Sequence, residues 1–214
     1  MSAPPLFYKS SLLYDLLMQF LYGRYLEERG EALAKQIDRG CSVLDICCGT
    51  GELFRKHLRQ KNIEYQGVDL NPVFIRRLQA KGVSAICADA RAFPVKARSF
   101  DYVILQGSLS EFSSAERTPL LQRLHQGARR GFLLSESIRH LIYHQTSWIA
   151  KFATRIGRPL QSSPEEPFQR LQKADLEDLM RPFNPYVRSM QVICGGRTML
   201  YVLRPVGDQA VYKV

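Results

Sequence analysis

The sequence predicts an α/β fold, a doubly wound and mostly parallel sheet with helices on both faces, on three observations. Short apolar runs alternate with stretches of helical period, the first run ends in an acid followed by alternating glycines, and two late strand-like runs are joined by a glycine pair. Alternation of this kind implies crossover helices and parallel pairing, whereas the glycine pair implies a terminal antiparallel hairpin. With 214 residues and 45% hydrophobic content, one sizeable core and a single domain over 1–214 are expected.

The elements follow in order. Residues 6–36 carry Phe7, Tyr8, Tyr14, Phe20, Tyr22 and Tyr25 on a broadly helical pattern, so 1–40 reads as an N-terminal helical lid. The core follows over 41–137, where Val43, Leu44 and Ile46 supply a buried first strand. Gly49 and Gly51 then permit positive φ and close approach of a ligand. Residues 52–60 are helical in period, 64–69 form a second strand, and Pro72 opens a helix running to about 81. Third, fourth and fifth strands fall at 84–87, 100–106 and 131–136, with a helix at 119–126. An aromatic and basic helix at 140–156 and a loop rich in Pro, Ser and Glu make 138–170 a helical insertion that could wall a substrate. In 171–204, a helix at 174–180 precedes the hairpin strands 186–194 and 198–204, which Gly195-Gly196-Arg197 connects; 205–214 reads as a tail.

Composition narrows the function classes. No stretch approaches the ~18 apolar residues of a membrane span, and the N-terminus lacks a signal-peptide pattern, so a cytoplasmic protein is expected. Five cysteines, Cys41, Cys47, Cys48, Cys87 and Cys194, are odd in number and fall mostly in strands, which favours reduced thiols; adjacent Cys47 and Cys48 lack metal-finger spacing, and no metal is expected. The net charge of +10 would attract phosphates, nucleic acid or an anionic membrane surface, but the basic residues are dispersed without a run of five or six.

In open parallel sheets the ligand lies beyond the carboxyl ends of the strands. Those ends present Asp45 with Gly49 and Gly51, Asp69 with Leu70, Asp89 with Ala90, and Gln106 with Gly107. A carboxylate ending the second strand can accept both hydroxyls of a ribose, and one after the third can accept an adenine amine. Each acid alone could merely cap the next helix, as Asp69 before Asn71-Pro72 could, but glycine turn, acid and acid after successive strands describe an adenosine cradle. A dinucleotide dehydrogenase needs a third glycine where Phe54 stands, and no Gly-Lys-Ser or Gly-Lys-Thr phosphate loop is present.

On these residues the chain resembles the class I S-adenosylmethionine-dependent methyltransferases, in particular the small-molecule branch that includes the quinone-biosynthesis (ubiquinone and menaquinone) enzymes. The resemblance spans about 43–136: Asp45 to Gly51 is similar to the family's first motif with Cys47 in place of its first glycine, a replacement familiar in the quinone branch. It implies a Rossmann-like, seven-stranded sheet and S-adenosyl-L-methionine as cofactor. The family's ribose acid falls on Asp69 with Leu70, its adenine-side acid on Asp89 beside Ala90, and its fourth-strand motif on 100–107 with Gln106. Tyr8 and Tyr14 resemble tyrosines that cover the cofactor from a leading helix; alternatively, Tyr14 packs that helix on the sheet edge. The implied chemistry is in-line displacement at the sulfonium methyl by a small-molecule acceptor, aromatic, isoprenoid or lipid-linked, assisted by proximity and water exclusion. If a base is needed, the candidates are Glu136, Glu111, His140 and His144, and Tyr143 and Trp148 could wall the acceptor. Two other readings stay open. A nucleic-acid methyltransferase draws on the charge, although Gln106-Gly107-Ser108-Leu109 is not the Asn-Pro-Pro-Tyr type of motif; a non-catalytic cofactor-binding partner protein is the other.

Overall fold

The computed structural model describes residues 10–138 and 171–207. The insertion reading for 139–170, with His140, Tyr143, His144 and Trp148, lies outside the described residues, as do Tyr8 and the tail beyond 207. Seven strands form one sheet in the order β3-β2-β1-β4-β5-β7-β6. They are β1 (Ser42–Ile46), β2 (Glu64–Asp69), β3 (Ala85–Cys87), β4 (Phe100–Gln106), β5 (Ala128–Ser137), β6 (Val187–Ile193) and β7 (Thr198–Leu203). The first five pair in parallel, whereas β7 runs antiparallel to both β5 and β6. The final strand therefore lies inside the sheet, and β6 reaches it only through β7. Strand order reverses between β1 and β4, which puts a crevice at their carboxyl ends.

Period-2 alternation divides the core between the two faces. Leu44, Ile46, Val103, Leu105, Phe132 and Leu134 pack on one side against α3 (Ser114–Gly127) and α4 (Lys173–Met180). Val43, Ile104, Leu133, Leu200 and Val202 pack on the other with Leu33 and Ile37, on and just after helix α1 (Ser11–Lys35). Both faces are covered, so β1 is buried along its whole length and shows no polar alternation.

Between β2 and β3, α2 (Pro72–Gln79) begins where the sequence places it: Asn71 caps it by accepting the Val73 N–H at 2.9 Å, and Pro72 supplies the fixed φ of the first turn. Three boundaries differ from the sequence reading. The helix at 119–126 begins earlier, as α3 at Ser114, because the Glu116 carboxylate takes the Ser113 N–H at 2.8 Å and hydroxyl at 2.9 Å; Pro119 lies inside the helix. The fifth strand also begins earlier, at Ala128, directly after α3 ends. The helix after the glycine turn is irregular, a π-helical turn at Phe54–Leu58 followed by a 3-10 turn at Arg59–Lys61, and Asn62 closes it with φ +55°. Apolar spacing over ten residues does not separate these turns from a regular α-helix.

Candidate functional site

The glycine turn between β1 and the π-helical turn is built on positive φ. Cys47 (+57°), Gly49 (+57°) and Gly51 (+69°) all take it, so Cys47 adopts the left-handed backbone usually reserved for glycine. A Cβ on Gly49 would point into open space, whereas one on Gly51 would stand 2.6 Å from Leu78 Cδ2. Gly49 leaves a cradle for a ligand, and Gly51 lets α2 approach the turn.

Asp69 ends β2 beside that cradle. Its Oδ2 accepts the Gly49 N–H at 2.8 Å and its Oδ1 the Asn71 N–H at 2.8 Å, which fixes the carboxylate while leaving a lone pair on each oxygen for a further donor. Burial lifts this carboxyl above its ordinary value, against the two amide donors that lower it. Leu70, 40% exposed, offers an apolar surface alongside. Asp89, after β3, accepts its own turn's Arg91 N–H at 2.8 Å and pairs with the Arg91 guanidinium at 3.4 Å. Arg91 also bonds Glu116 at 2.8 Å and lies over the Phe112 ring, so Asp89 is fixed by a network that reaches α3. Ala90 is buried, and its carbonyl accepts from Arg123. Gln106 ends β4 half-buried, and its carbonyl accepts the Ser108 hydroxyl at 3.3 Å.

Asp45 lies behind the turn. Fully buried on the α1 face, it accepts the Tyr65 hydroxyl at 2.9 Å, while its Oδ1 has no hydrogen-bond partner. Burial pushes its pKa up to about 7, and the negative Asp69 adds to the rise, so the site holds a carboxyl that shares a proton with solvent near neutrality. Burial likewise pushes the Cys47 thiol to about 12, which makes it inert as a nucleophile.

The carboxyl after β4 and the one near the end of β5 differ in character. Glu136 is buried, its Oε2 accepts the Leu109 N–H at 2.8 Å and its Oε1 the Ser137 N–H at 3.2 Å, so it holds the loop after β4 in place. Glu111, on the 3-10 turn Leu109–Glu111, is half-buried, and its carboxylate has no hydrogen bond or ion pair among the described residues. Burial first, and Glu136 second, raise its pKa to about 7. The turn's backbone is pinned by Arg117 on the Leu109 carbonyl at 3.2 Å and Arg91 on the Glu111 carbonyl at 3.4 Å.

Helix α1 closes over this edge through a junction the sequence did not reveal. The Asp15 carboxylate accepts the Thr50 hydroxyl at 2.6 Å and pairs with Arg55 at 3.1 Å and Arg77 at 3.2 Å, joining α1, the glycine turn and α2. Tyr14 packs its ring 4.9 Å from Phe74 of α2. Tyr65, the partner of Asp45, was also missed. These pairings join residues 20 to 62 positions apart, which no local pattern encodes.

A doubly wound sheet with a glycine turn and a fixed carboxylate at the carboxyl ends of its first two strands defines the class, an open α/β domain with a crevice at its switch point. Comparison with known proteins is more specific. Residues 43–131 match the family model described as a methyltransferase domain. The carboxy-S-adenosyl-L-methionine synthase of Geobacter metallireducens is 30% identical over 131 residues, which are 55% of this chain and 53% of that protein; its counterpart in another Geobacter species is 29% identical. The chain thus spans about half the length of the curated relatives it matches. Among solved structures, PH0226 from Pyrococcus horikoshii superposes with a TM-score of 0.62 at 21% identity, covering 86% of this chain and 91% of that one. Burkholderia thailandensis 1,6-didemethyltoxoflavin-N1-methyltransferase superposes with a TM-score of 0.58 at 18% identity, covering 96% and 92%. Residues 43–131 are thus similar to a methyltransferase domain, and the fold as a whole is shared with these solved structures.

Proposed function

We propose that the protein is an enzyme that transfers a methyl group from S-adenosylmethionine to a small-molecule acceptor in the cytoplasm. The observation that carries this reading is Asp69, oriented by Gly49 and Asn71 amides at the rim of a side-chain-free cradle. Its remaining lone pairs suit the two hydroxyls of a ribose, and the exposed Leu70 beside it suits the flat face of a purine. Asp89 and the Ala90 backbone, at the end of the neighbouring strand, border the adenine side, and Gln106 borders the opposite side with the glycine turn. Asp45 supports the turn from behind, and Tyr14 helps seat α1 across the opening.

The bound donor supplies an electrophilic methyl on a sulfonium, and the chain's residues orient it and exclude water. Where the acceptor carries a proton, Glu111 is the residue placed to remove it; Glu136, tied to two amides, positions Glu111's loop instead. The relatives named as carboxy-S-adenosyl-L-methionine synthases support a donor of the S-adenosylmethionine type. An aromatic, isoprenoid or lipid-linked acceptor, as in the quinone branch, is the narrower form of the proposal, supported by Cys47 in the first-glycine position.

Isothermal titration with S-adenosylhomocysteine tests the donor site. Asp69→Ala should weaken binding by at least ~10-fold, the loss of a charge-assisted pair of hydrogen bonds. Equal affinity in wild type and variant would sink the reading.

A further inference from the structure

Helix α1 changes the character of its outer face midway along its length. In its first half Leu12, Leu16 and Phe20, spaced four residues apart, are 59%, 61% and 79% exposed. They form one apolar stripe about 12 Å long. It lies on the side away from the fold, because Tyr14 and Asp15 use the opposite side to reach Phe74 and Thr50. In the second half the exposed residues include Glu27, Glu31 and Lys35, while Leu33 and Ala34 turn into the core. Three large apolar side chains in line, each mostly in water, mark a contact surface and not a scatter of single residues.

Cations rim this stripe. Arg24, exposed, stands one helical turn beyond Phe20. On the flank toward the fold, Lys56 donates to Gln19 at 3.0 Å, and Arg55 and Arg77 pair with Asp15 at 3.1 and 3.2 Å. Lys81 belongs to the same group: Arg77 first, then slight burial and Arg55, hold its ammonium below the ordinary value, against Asp15, which raises it. Among the described residues the acids paired with these cations are Asp15, Glu27 and Glu52, so the rim keeps a positive surplus. That surplus selects the occupant. A second copy of the chain, meeting stripe to stripe, would bring two basic rims together, and three side chains fall well short of the ~800 Å² per partner that a stable dimer buries. A bilayer with anionic headgroups accepts both parts, the apolar side chains at the acyl boundary and the cations on its phosphates.

We propose that the outer face of α1 at Leu12, Leu16 and Phe20 docks on an anionic membrane surface, with the helix lying in the plane of the headgroups. The docking stands on the stripe and its rim, and it goes beyond the donor reading above. It places the bilayer about 10 Å, one helix diameter, from the glycine turn, because Asp15 on the inward side of the same turns bonds Thr50. That placement suits the lipid-linked form of the acceptor, which would reach the crevice without leaving its membrane.

Sedimentation of the full chain with lipid vesicles tests it. Wild type should partition onto vesicles of equal parts phosphatidylglycerol and phosphatidylcholine at least ~10-fold more strongly than onto phosphatidylcholine alone. The double variant Leu16→Glu with Phe20→Glu should lose at least ~10-fold of that partitioning, and Arg24→Gln about 5-fold. Both should keep the wild-type melting temperature and S-adenosylhomocysteine affinity, which separates the docking face from the donor site. Failure of wild type to sediment with the anionic vesicles overturns the proposal, as does equal sedimentation of the double variant or equal partitioning onto both lipids. A wild-type dimer in analytical ultracentrifugation that the double variant splits, without vesicle binding, assigns the stripe to a second copy instead. If the glutamates prevent folding, Leu16→Ser with Phe20→Ser replaces them; a melting temperature lowered in that pair too, with no vesicle binding by wild type, shows the stripe to be covered within the chain and overturns the docking. Vesicle binding by a chain that does not bind S-adenosylhomocysteine keeps the docking face and removes the donor reading.

Discussion

At the residue scale the site is organised by acids in unequal environments. Asp69 is oriented by amides at the rim, Asp45 is sealed behind the turn on Tyr65, and Glu111 stands unpaired on a pinned turn. All three were legible as candidates in the sequence, because Asp45 and Asp69 fall at the ends of apolar runs and Glu111 soon after a third. It could not grade them, since burial depends on what the other elements cover. Burial has a consequence for pH. Between the ordinary carboxylate value and about 7, folded Asp45 keeps a proton that the unfolded chain has released, so stability falls as pH rises across that window. Urea unfolding midpoints should therefore be higher at pH 5 than at pH 7.5, and Asp45→Asn should reduce the difference. A difference of the same size in the variant would show that other groups cause it. Glu111 contributes in the same direction.

At the element scale, the parts set by local chemistry were legible and the junctions were not. Asn71-Pro72 announces the start of α2, and Gly195-Gly196 announces the hairpin, because capping and positive φ are local demands. The start of α3 lies ahead of the helical run at 119–126 because the Ser113 and Glu116 pair caps it, a signal that sits outside that run. α1 was legible as a helix from the spacing of its aromatic residues, but its attachment through Asp15 to Thr50, Arg55 and Arg77 exists only in three dimensions. Asp15→Ala should loosen α1 locally. Hydrogen exchange in the first half of α1 should accelerate by at least ~10-fold, the loss of about 1.4 kcal/mol of local protection, while exchange in β1 and β4 stays near its wild-type rate. Uniform acceleration in all three elements would show that the junction supports the whole fold instead.

At the scale of the whole molecule, the alternation of strands and helices encoded the sheet, and the late hairpin encoded its antiparallel strands. The strand order, which reverses between β1 and β4, is a product of tertiary pairing that crossover handedness alone does not set. Among the described residues no helix is long and apolar enough to cross a membrane. The excess of 30 basic over 20 acidic residues is partly engaged within the fold, where Arg55 and Arg77 hold Asp15, Arg91 holds Asp89 and Glu116, and Arg129 holds Asp101. The charge is thus partly structural. Association with a single-stranded RNA in 0.15 M salt, measured by fluorescence anisotropy, should accordingly stay in the non-specific range, with Kd above ~1 μM. Submicromolar binding with a steep salt dependence would revive the nucleic-acid alternative.

The placement of β7 between β5 and β6 bears on the order in which the chain can assemble. During synthesis β6 emerges first, but its seat in the sheet does not exist until β7 has followed it and paired with β5. The five parallel strands can therefore form with one long border still open, and the hairpin closes that border as a unit. Until then the Phe132 to Ser137 side of β5 presents unpaired amides and carbonyls, the kind of edge on which chains pair wrongly with one another. A premature stop anywhere between 187 and 198 would leave the crevice residues from Asp45 to Glu136 translated and their supporting strand permanently exposed.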